Sequence, residues 1–344
     1  MMSNTRKPNL FDFATSELSQ DAFICWLLSW ASPEHKDADS DLHEAGSRLI
    51  RAFFQLHARE AAPVIETVRV ERQPKRIDVL CIVNDTFYIV IEDKTGSSAH
   101  SNQLTRYVDA IRERGVSEQN IIPIYFKTHE ESGVSEKLTD NFKVFSRSDL
   151  LKVISGCSTN DSILLDFHDR LSRLESDHQS FRDLPVGKWG WFTWQGFFQA
   201  LQIEFGIATE CWKREPNVGG GFWGFRWAAT VDPEYGCEVY LQLEDATLTV
   251  RVGGNLKSRD HLATVRLKFY ELINRRAPAY GLLFKKAKFL KGARKVAKLV
   301  GDYRILNEDG ILDFQATVHH LKRAQEMVQS LFTGEPSASP TGTL

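Results

Sequence analysis

Apolar and polar positions over the first 180 residues follow helical and strand periodicities in turn. Apolar side chains at helical spacing predict amphipathic helices, and short runs rich in β-branched residues predict strands. Two helices, three strands and then mixed elements predict an α/β fold with a mixed sheet. The predicted helices are 16–30, 41–60, 102–114, 148–154 (capped by Ser148) and 161–178, and the predicted strands are 64–71, 76–83, 88–94, 120–126 and 142–145.

The composition changes near Phe181, where a tryptophan-rich stretch begins. Three alternating segments then predict an antiparallel meander. Apolar residues at helical spacing predict further helices, which would complete an α+β unit. The predicted strands are 223–231, 238–243 and 247–252, and the predicted helices are 195–205, 259–275 and 314–332.

The length and composition allow two folded domains. The chain has 344 residues, of which 42% are hydrophobic and 11% aromatic, so it is not a disordered protein. We expect a first domain over 1–180 and an accessory α+β domain over 186–332 that recognises substrate, assembles subunits or regulates. The segment 333–344 is rich in Pro, Ser, Thr and Gly and is expected to be a disordered tail.

Charge and cysteine content narrow the function classes. The formal net charge is −2, so phosphate binding would need a local basic patch or a metal. The five cysteines lack the spacing of a zinc site or a disulfide framework, which favours a reducing compartment. No apolar run approaches membrane-spanning length. We therefore expect a cytoplasmic protein with no membrane partner.

Two carboxylates and a lysine meet at the polar end of a predicted hairpin. Asp78 lies on its first strand, and Glu92 and Lys94 lie at the end of its second strand. Side chains alternate faces along a strand, so Glu92 and Lys94 share a face while Asp93 points the other way. Such a cluster is costly to bury unless something binds there. The alternative is a surface ion-pair triangle, which would contribute little.

These residues, with a later pair, resemble a known superfamily. Asp78, the run 92–94, and Gln103 with Tyr107 resemble the PD-(D/E)XK nuclease superfamily, and the Gln-x-x-x-Tyr spacing is similar to its RecB-like branch. Ile77 replaces the proline of the family's name. The resemblance covers roughly residues 10–150. It implies a restriction-endonuclease-like mixed-sheet core with helices on both faces.

The resemblance also implies a metal site. Mg²⁺ prefers oxygen ligands and typically takes one or two carboxylates from a protein, and Asp78 and Glu92 suit that role. The main-chain carbonyl of Asp93 is a further ligand implied by the resemblance, and Mn²⁺ is expected to substitute for Mg²⁺. Glu17, in the first predicted helix, is another candidate ligand. The alternative for Glu17 is that it only complements the helix dipole.

Three more residues are implied in catalysis. Lys94 would lie beside the attacking water and the scissile phosphate, where it orients the nucleophile or stabilises transition-state charge. Gln103 and Tyr107 are four residues apart, so they share one face of a helix. They would position the lysine, the water or the phosphate.

A cationic run in the second half offers a second contact with nucleic acid. Against the nearly neutral chain it could form an electrostatic track for a phosphate backbone. The alternative is a solvated helix or turn balanced by acids elsewhere. The run consists of Lys285, Lys286, Lys288, Lys291, Arg294, Lys295 and Lys298.

The sequence therefore predicts a Mg²⁺-dependent nuclease, with nucleic acid as its partner and DNA preferred to RNA. An RNA-directed nuclease and a catalytically silent binding module with the same fold are the alternatives. A nuclease with an unfamiliar second domain is similar to bacterial restriction or anti-phage defence proteins, an expectation that rests on analogy. A homo-oligomer or a partner subunit is also expected.

Overall fold

The chain divides into two compact units, 1–178 and 179–344. A computed structural model describes residues 7–58, 62–95, 103–134, 138–215, 221–254, 259–288 and 294–333. No helix within those ranges combines the length and apolar character that a bilayer span requires. The predicted tail lies outside the described residues from position 334 onward.

The first unit is built around a mixed β-sheet whose five strands pair in chain order. The first two pairings are antiparallel and the last two are parallel. This arrangement confirms the predicted mixed sheet. The strands are β1 (Val68–Arg72), β2 (Val79–Val83), β3 (Phe87–Lys94), β4 (Ile121–Lys127) and β5 (Lys143–Ser146).

The hairpin of β2 and β3 is closed by a turn in which Asn84 and Asp85 have φ of 53° and 49°. Two consecutive positive φ values are typical of a type I′ turn, whose twist matches that of the strands. The Asn84 side chain also accepts the N–H of Glu66 and of Thr67, at 2.8 and 3.1 Å. It thereby holds this segment outside the ladder, so β1 begins at Val68 and the prediction that it starts at 64 is wrong.

Helices cover both faces of this sheet, as predicted. On one face the ring of Phe54 lies 5.2 Å from that of Phe87. On the other face Leu104 and Val108 share a buried apolar cluster with Val90. The helices are α1 (Glu17–Ser29), α2 (Ser40–Leu56), α3 (Gln103–Arg112), α4 (Arg147–Ile154) and α5 (Ser162–Gln179).

Polar caps determine where these helices begin. The Ser16 side chain accepts the N–H of Ser19 at 3.3 Å and so caps α1. For α4 the cap is Ser146, not Ser148 as predicted. Ser146 and Asp149 bond to each other's backbone N–H groups in a capping box, which satisfies two donors at once and outweighs a single serine cap.

The second unit contains a six-stranded antiparallel sheet in the order β10-β11-β9-β8-β7-β6, numbered along the chain. Its central meander, β7 to β9, matches the prediction closely. The strands are β6 (Trp212–Glu215), β7 (Phe222–Val231), β8 (Glu238–Glu244), β9 (Thr247–Gly253), β10 (Phe284–Lys286) and β11 (Lys295–Leu299). The helices are α6 (Trp191–Glu204), α7 (Arg259–Arg276) and α8 (Phe314–Ser330).

Three of these strands were not predicted, and two of them hold most of the cationic run. The cationic run was expected to form an electrostatic track or, alternatively, a solvated helix or turn. Neither prediction placed its residues in strands. β10 and β11 are short and rich in lysine, so propensity does not favour a strand. Their apolar residues nevertheless face the core: Phe284, Val296 and Leu299 are 3% exposed or less.

Helices α6, α7 and α8 pack against one face of the sheet in a single apolar core. Trp212, Trp223 and Trp227 belong to that core and are at most 6% exposed, so they do not serve as stacking platforms for bases. Trp191, by contrast, is 48% exposed.

Gly46 lies where α1 and α2 touch, and replacing it should destabilise the first unit. A Cβ added there would stand 2.4 Å from the carbonyl oxygen of Leu27 and 2.8 Å from the amide nitrogen of Ala31. We expect Gly46→Ala to lower the free energy of unfolding by about 1–3 kcal/mol, because the helices must move apart. Urea unfolding followed by circular dichroism measures this.

Gly187→Ala is the control, since no heavy atom lies within 4 Å of its added Cβ. Stability of Gly46→Ala equal to that of the unsubstituted chain would contradict the close helix contact.

Candidate active site

Charged side chains from β3 and from the residue before β2 converge at one end of the β2–β3 hairpin. Lys94 Nζ lies 2.6 Å from Glu92 Oε1 and 4.0 Å from Asp78 Oδ2. Asp78 immediately precedes β2, and the antiparallel register places Val79 opposite Ile91, so Asp78 lies beside the end of β3 where Glu92 and Lys94 sit. The structure therefore brings together the three residues around which the predicted site is built.

Burial makes this cluster electrostatically costly. The side chains of Glu92 and Lys94 are 0% and 8% exposed, so the alternative of a surface ion-pair triangle is wrong. Burial, and next the nearby Asp78 carboxylate, raises the pKa of Glu92 to about 8. Burial lowers the pKa of Lys94, but the hydrogen bond and charge of Glu92 outweigh this, so its pKa is raised overall. Lys94 is therefore a protonated ammonium, and the carboxyl groups of Glu92 and Asp78 both attract its positive charge.

Helix α3 supplies a hydrogen-bond chain to Glu92. Gln103 Nε2 donates to Glu92 Oε2 at 3.0 Å and to Tyr107 Oη at 2.7 Å. Burial, together with the charges of Glu92 and Asp78, raises the pKa of Tyr107 above its usual range, so the phenol stays neutral. The Gln-x-x-x-Tyr pair thus fixes the orientation of the Glu92 carboxylate from the opposite side to Lys94.

Glu17 faces the same cluster from the start of α1. Its Oε1 accepts the N–H of Thr95 at 3.3 Å, and its Oε2 lies 3.9 Å from Lys94 Nζ. Its side chain is 36% exposed, much more than Glu92. A role limited to the helix dipole does not explain these contacts, because they connect Glu17 to β3.

The side chain of Asp93 points to the other face of the sheet. Its Oδ1 accepts a hydrogen bond from Gln20 Nε2 at 2.5 Å, and Gln20 Oε1 accepts one from Thr128 at 2.9 Å. Burial raises the pKa of Asp93 well above its usual range. The backbone N–H of Asp93, on the site side, donates to Asp78 Oδ2 at 3.0 Å. Only the main-chain carbonyl of Asp93 is thus left for the ligand role implied by the resemblance.

The donor set fits a hard divalent cation that keeps most of its waters. No three His, Cys, Asp or Glu side chains in the described part of the chain lie close enough to enclose a metal. Asp78 and Glu92 supply two carboxylates, as Mg²⁺ sites commonly do. The full burial of the Glu92 carboxyl is the structural sign of the fit, since a bound cation would offset the cost of ionising that group.

Sequence reasoning missed Lys127. In the parallel register of β3 and β4, Tyr125 pairs with Glu92 and Lys127 with Lys94, so a second lysine lies on the face of the site. Lys127 is 6% exposed and forms an ion pair of 2.6 Å with Glu131. The alternation along β4 was readable in the sequence, but its alignment with β3 was not.

The cationic run belongs to the second unit. Its members divide between two strands and their flanks, and Lys291 lies outside the described residues. Lys285 and Lys286 are in β10, Lys288 follows it, Arg294 precedes β11, and Lys295 and Lys298 are in β11.

Comparison with known proteins identifies the first unit. No curated protein and no solved structure matches the chain. Residues 8–164 match the family model of the PD-(D/E)XK nuclease superfamily, a span that holds every residue of the cluster described above. The predicted superfamily is therefore confirmed for residues 8–164, which are similar to the PD-(D/E)XK nuclease superfamily.

Proposed function

We propose that this protein is a Mg²⁺-dependent nuclease that hydrolyses phosphodiester bonds of DNA. The observation that carries the proposal is the buried convergence of Lys94 with Glu92 and Asp78, at 2.6 and 4.0 Å, within a nuclease-family unit. In a protein with this fold that bound no metal and no substrate, nothing would offset the free-energy cost of keeping these charged groups out of water.

Each residue has a defined task in this reaction. Asp78 and Glu92, with Glu17 and the Asp93 carbonyl as further candidate ligands, would hold a divalent cation, which would supply neutralisation of the charge that develops on the phosphate. The Lys94 ammonium donates hydrogen bonds to the phosphate or to the attacking water. Because Lys94 is held by Glu92, its direction is set before substrate arrives.

Gln103 and Tyr107 are positioning residues, since they reach the reaction only through Glu92. Their hydrogen bonds support the proposed assignment to the RecB-like branch. We further propose a cytoplasmic protein of restriction or anti-phage defence that works as a homo-oligomer or with a partner subunit. This wider role rests on analogy with other two-domain nucleases.

The first prediction concerns hydrolysis itself. Purified protein should cleave plasmid and linear duplex DNA with Mg²⁺ or Mn²⁺ and not with EDTA. Lys94→Ala and Asp78→Ala should each reduce the rate roughly 100-fold or more, the usual loss when a group that stabilises transition-state charge is removed. Gel assays with end-labelled substrates measure this, and Lys143→Ala, an exposed lysine of β5, should retain full activity.

Cleavage that persists in EDTA, or that survives both substitutions, would contradict the metal proposal. Cleavage of RNA but not of DNA would support an RNA-directed nuclease instead. An inactive unsubstituted protein across all substrates and ions would support the silent binding module.

The second prediction concerns the pH dependence of metal binding. Because the pKa of Glu92 is raised to about 8, this carboxyl takes up a proton in the metal-free protein as the pH falls through that value. Binding must release that proton, so Mg²⁺ affinity should rise about tenfold per pH unit below pH 8 and level off above it. Calorimetric titrations at several pH values measure this.

In Glu92→Gln the pH dependence should disappear together with most of the affinity. A pH-independent affinity in the unsubstituted protein would show that Glu92 is not a ligand.

The third prediction concerns the hydrogen-bond chain from α3. Gln103→Ala should raise the Mg²⁺ concentration for half-maximal activity by about 10–100-fold, as loss of a group that orients a ligand usually does. Tyr107→Phe should have a smaller effect, because Gln103 can still donate to Glu92. Asp109→Asn, on the exposed side of the same helix, is the control. A lower kcat at every Mg²⁺ concentration with unchanged Mg²⁺ dependence would contradict a positioning role.

A further inference from the structure

The six-stranded sheet of the second unit has one face that its helices do not cover. Residues alternate along each strand: Val239, Leu241 and Leu243 of β8 belong to the apolar core. Tyr240 and Gln242 therefore point to the opposite face. A polar cleft of about 490 Å³ opens on this opposite face, which we call the polar sheet face. It is lined in part by the cations Lys213, Arg226 and Arg251, the acids Glu210 and Glu215, and the polar residues Tyr240 and Gln242.

One continuous row of paired residues crosses five strands of the polar sheet face. From β10 to β7 it runs Lys285, Lys298, Thr249, Gln242 and Arg226, each the direct cross-strand partner of the next. The row itself has three cations and no acid, and Arg226 also forms an ion pair with Glu238 beside the row. Neighbouring strands are about 4.8 Å apart, so it extends over about 19 Å.

A second row on the same face adds two more cations. Lys295 pairs with Arg251, and Arg251 pairs with Tyr240. Glu244 receives both cations, with its Oε1 3.0 Å from Arg251 Nη1 and its Oε2 2.5 Å from Lys295 Nζ. Glu244 thus orients both Arg251 and Lys295, and because it neutralises only one of them, the three side chains together keep a net positive charge.

The first row contains a repulsive pair that an anion would relieve. Lys285 and Lys298 are directly opposite each other on β10 and β11. Neither has an ion-pair partner among the described residues, and Lys285 is exposed. Like charges at directly opposite positions destabilise a sheet. A phosphate placed over both ammonium groups would relieve this repulsion.

The polar sheet face suits a phosphate backbone better than unpaired bases. Single-strand binders offer exposed aromatic rings for stacking. Here Tyr240 is 7% exposed, and the Arg226 guanidinium lies 4.0 Å from its ring centre. Gly224 adds no side chain to the cleft. A second ring, Phe222, lines the cleft and is partly exposed, but the described part of the face has no row of open rings, so it suits backbone better than bases.

We propose that the polar sheet face binds the phosphate backbone of duplex DNA, with Lys285, Lys298 and Arg226 as its principal contacts. It is a site separate from the catalytic cluster. Preference for DNA over other polyanions rests on the nuclease function proposed above, but binding itself needs no hydrolysis. The face adds local positive charge to a chain whose formal charge is −2.

The chain provides a matched control for this proposal. Lys286 is the neighbour of Lys285 on β10, yet it pairs with the core residue Ala297 and lies 5.8 Å from the ring centre of Tyr270, on the helix side. Lys288 is an exposed lysine just past the strand. The double substitution Lys286→Ala/Lys288→Ala therefore removes the same amount of charge and leaves the Lys285–Lys298 pair intact.

The test measures binding without cleavage. The full chain carrying Lys94→Ala is titrated against a fluorescent 30-base-pair duplex in EDTA, and anisotropy is recorded between 50 and 200 mM salt. Adding Lys285→Ala/Lys298→Ala should weaken binding by about tenfold or more and reduce the slope of log K against log salt by about 2, one unit for each lost phosphate contact. Melting temperature should not fall, because the removed pair is repulsive.

The control double substitution should change affinity less than twofold. Equal weakening in both variants would show a general charge effect and overturn the proposal, as would unchanged affinity after Lys285→Ala/Lys298→Ala. Tighter binding of a 30-nucleotide single strand than of the duplex would overturn the choice of duplex. None of these outcomes bears on cleavage at Lys94, so the two proposals fail separately.

Discussion

The burial of Glu92 beside Asp78 and Lys94 is the constraint on which the first unit depends. Two carboxyl groups and an ammonium are brought together by the hairpin of β2 and β3, and the cost shows in the raised pKa of Glu92, about 8. The surrounding structure holds that geometry from several directions. Gln103 reaches Glu92 from α3, and Gln20 of α1 pins Asp93 behind the sheet. An electrostatic cost of this kind is retained at functional sites, where a bound cation and a phosphate would offset it.

Much of this site was predictable because it is local. Asp78, Glu92 and Lys94 lie on one hairpin, and the period of two along a strand determines which of their side chains share a face. The Gln103–Tyr107 pair likewise follows from helical spacing. Lys127 was missed because its place beside Lys94 depends on the parallel register of β3 and β4, which are separated by a helix and cannot be aligned from periodicity.

In the second unit, too, the sequence predicts the parts that depend on neighbouring residues and misses those that depend on contacts between distant residues. The meander β7 to β9 is local and was predicted almost residue by residue. β10 and β11 are lysine-rich strands, and tertiary packing of Phe284 and Leu299 outweighs their weak strand propensity. The cationic run therefore divides between two sides of a sheet, since Lys285 faces away from the helices and Lys286 faces them. A linear stretch of charge does not reveal that division, and only the paired register does.

Anomalous scattering from a Mn²⁺-soaked crystal is the most direct measurement of the metal site. We expect one strong peak between the carboxylates of Asp78 and Glu92, with Lys94 beside it but not bound to it. The same map would show whether Glu17 and the Asp93 carbonyl complete the coordination. No peak at this cluster, or a peak bound only to residues elsewhere, would contradict the proposal that these buried charges exist to hold a catalytic cation.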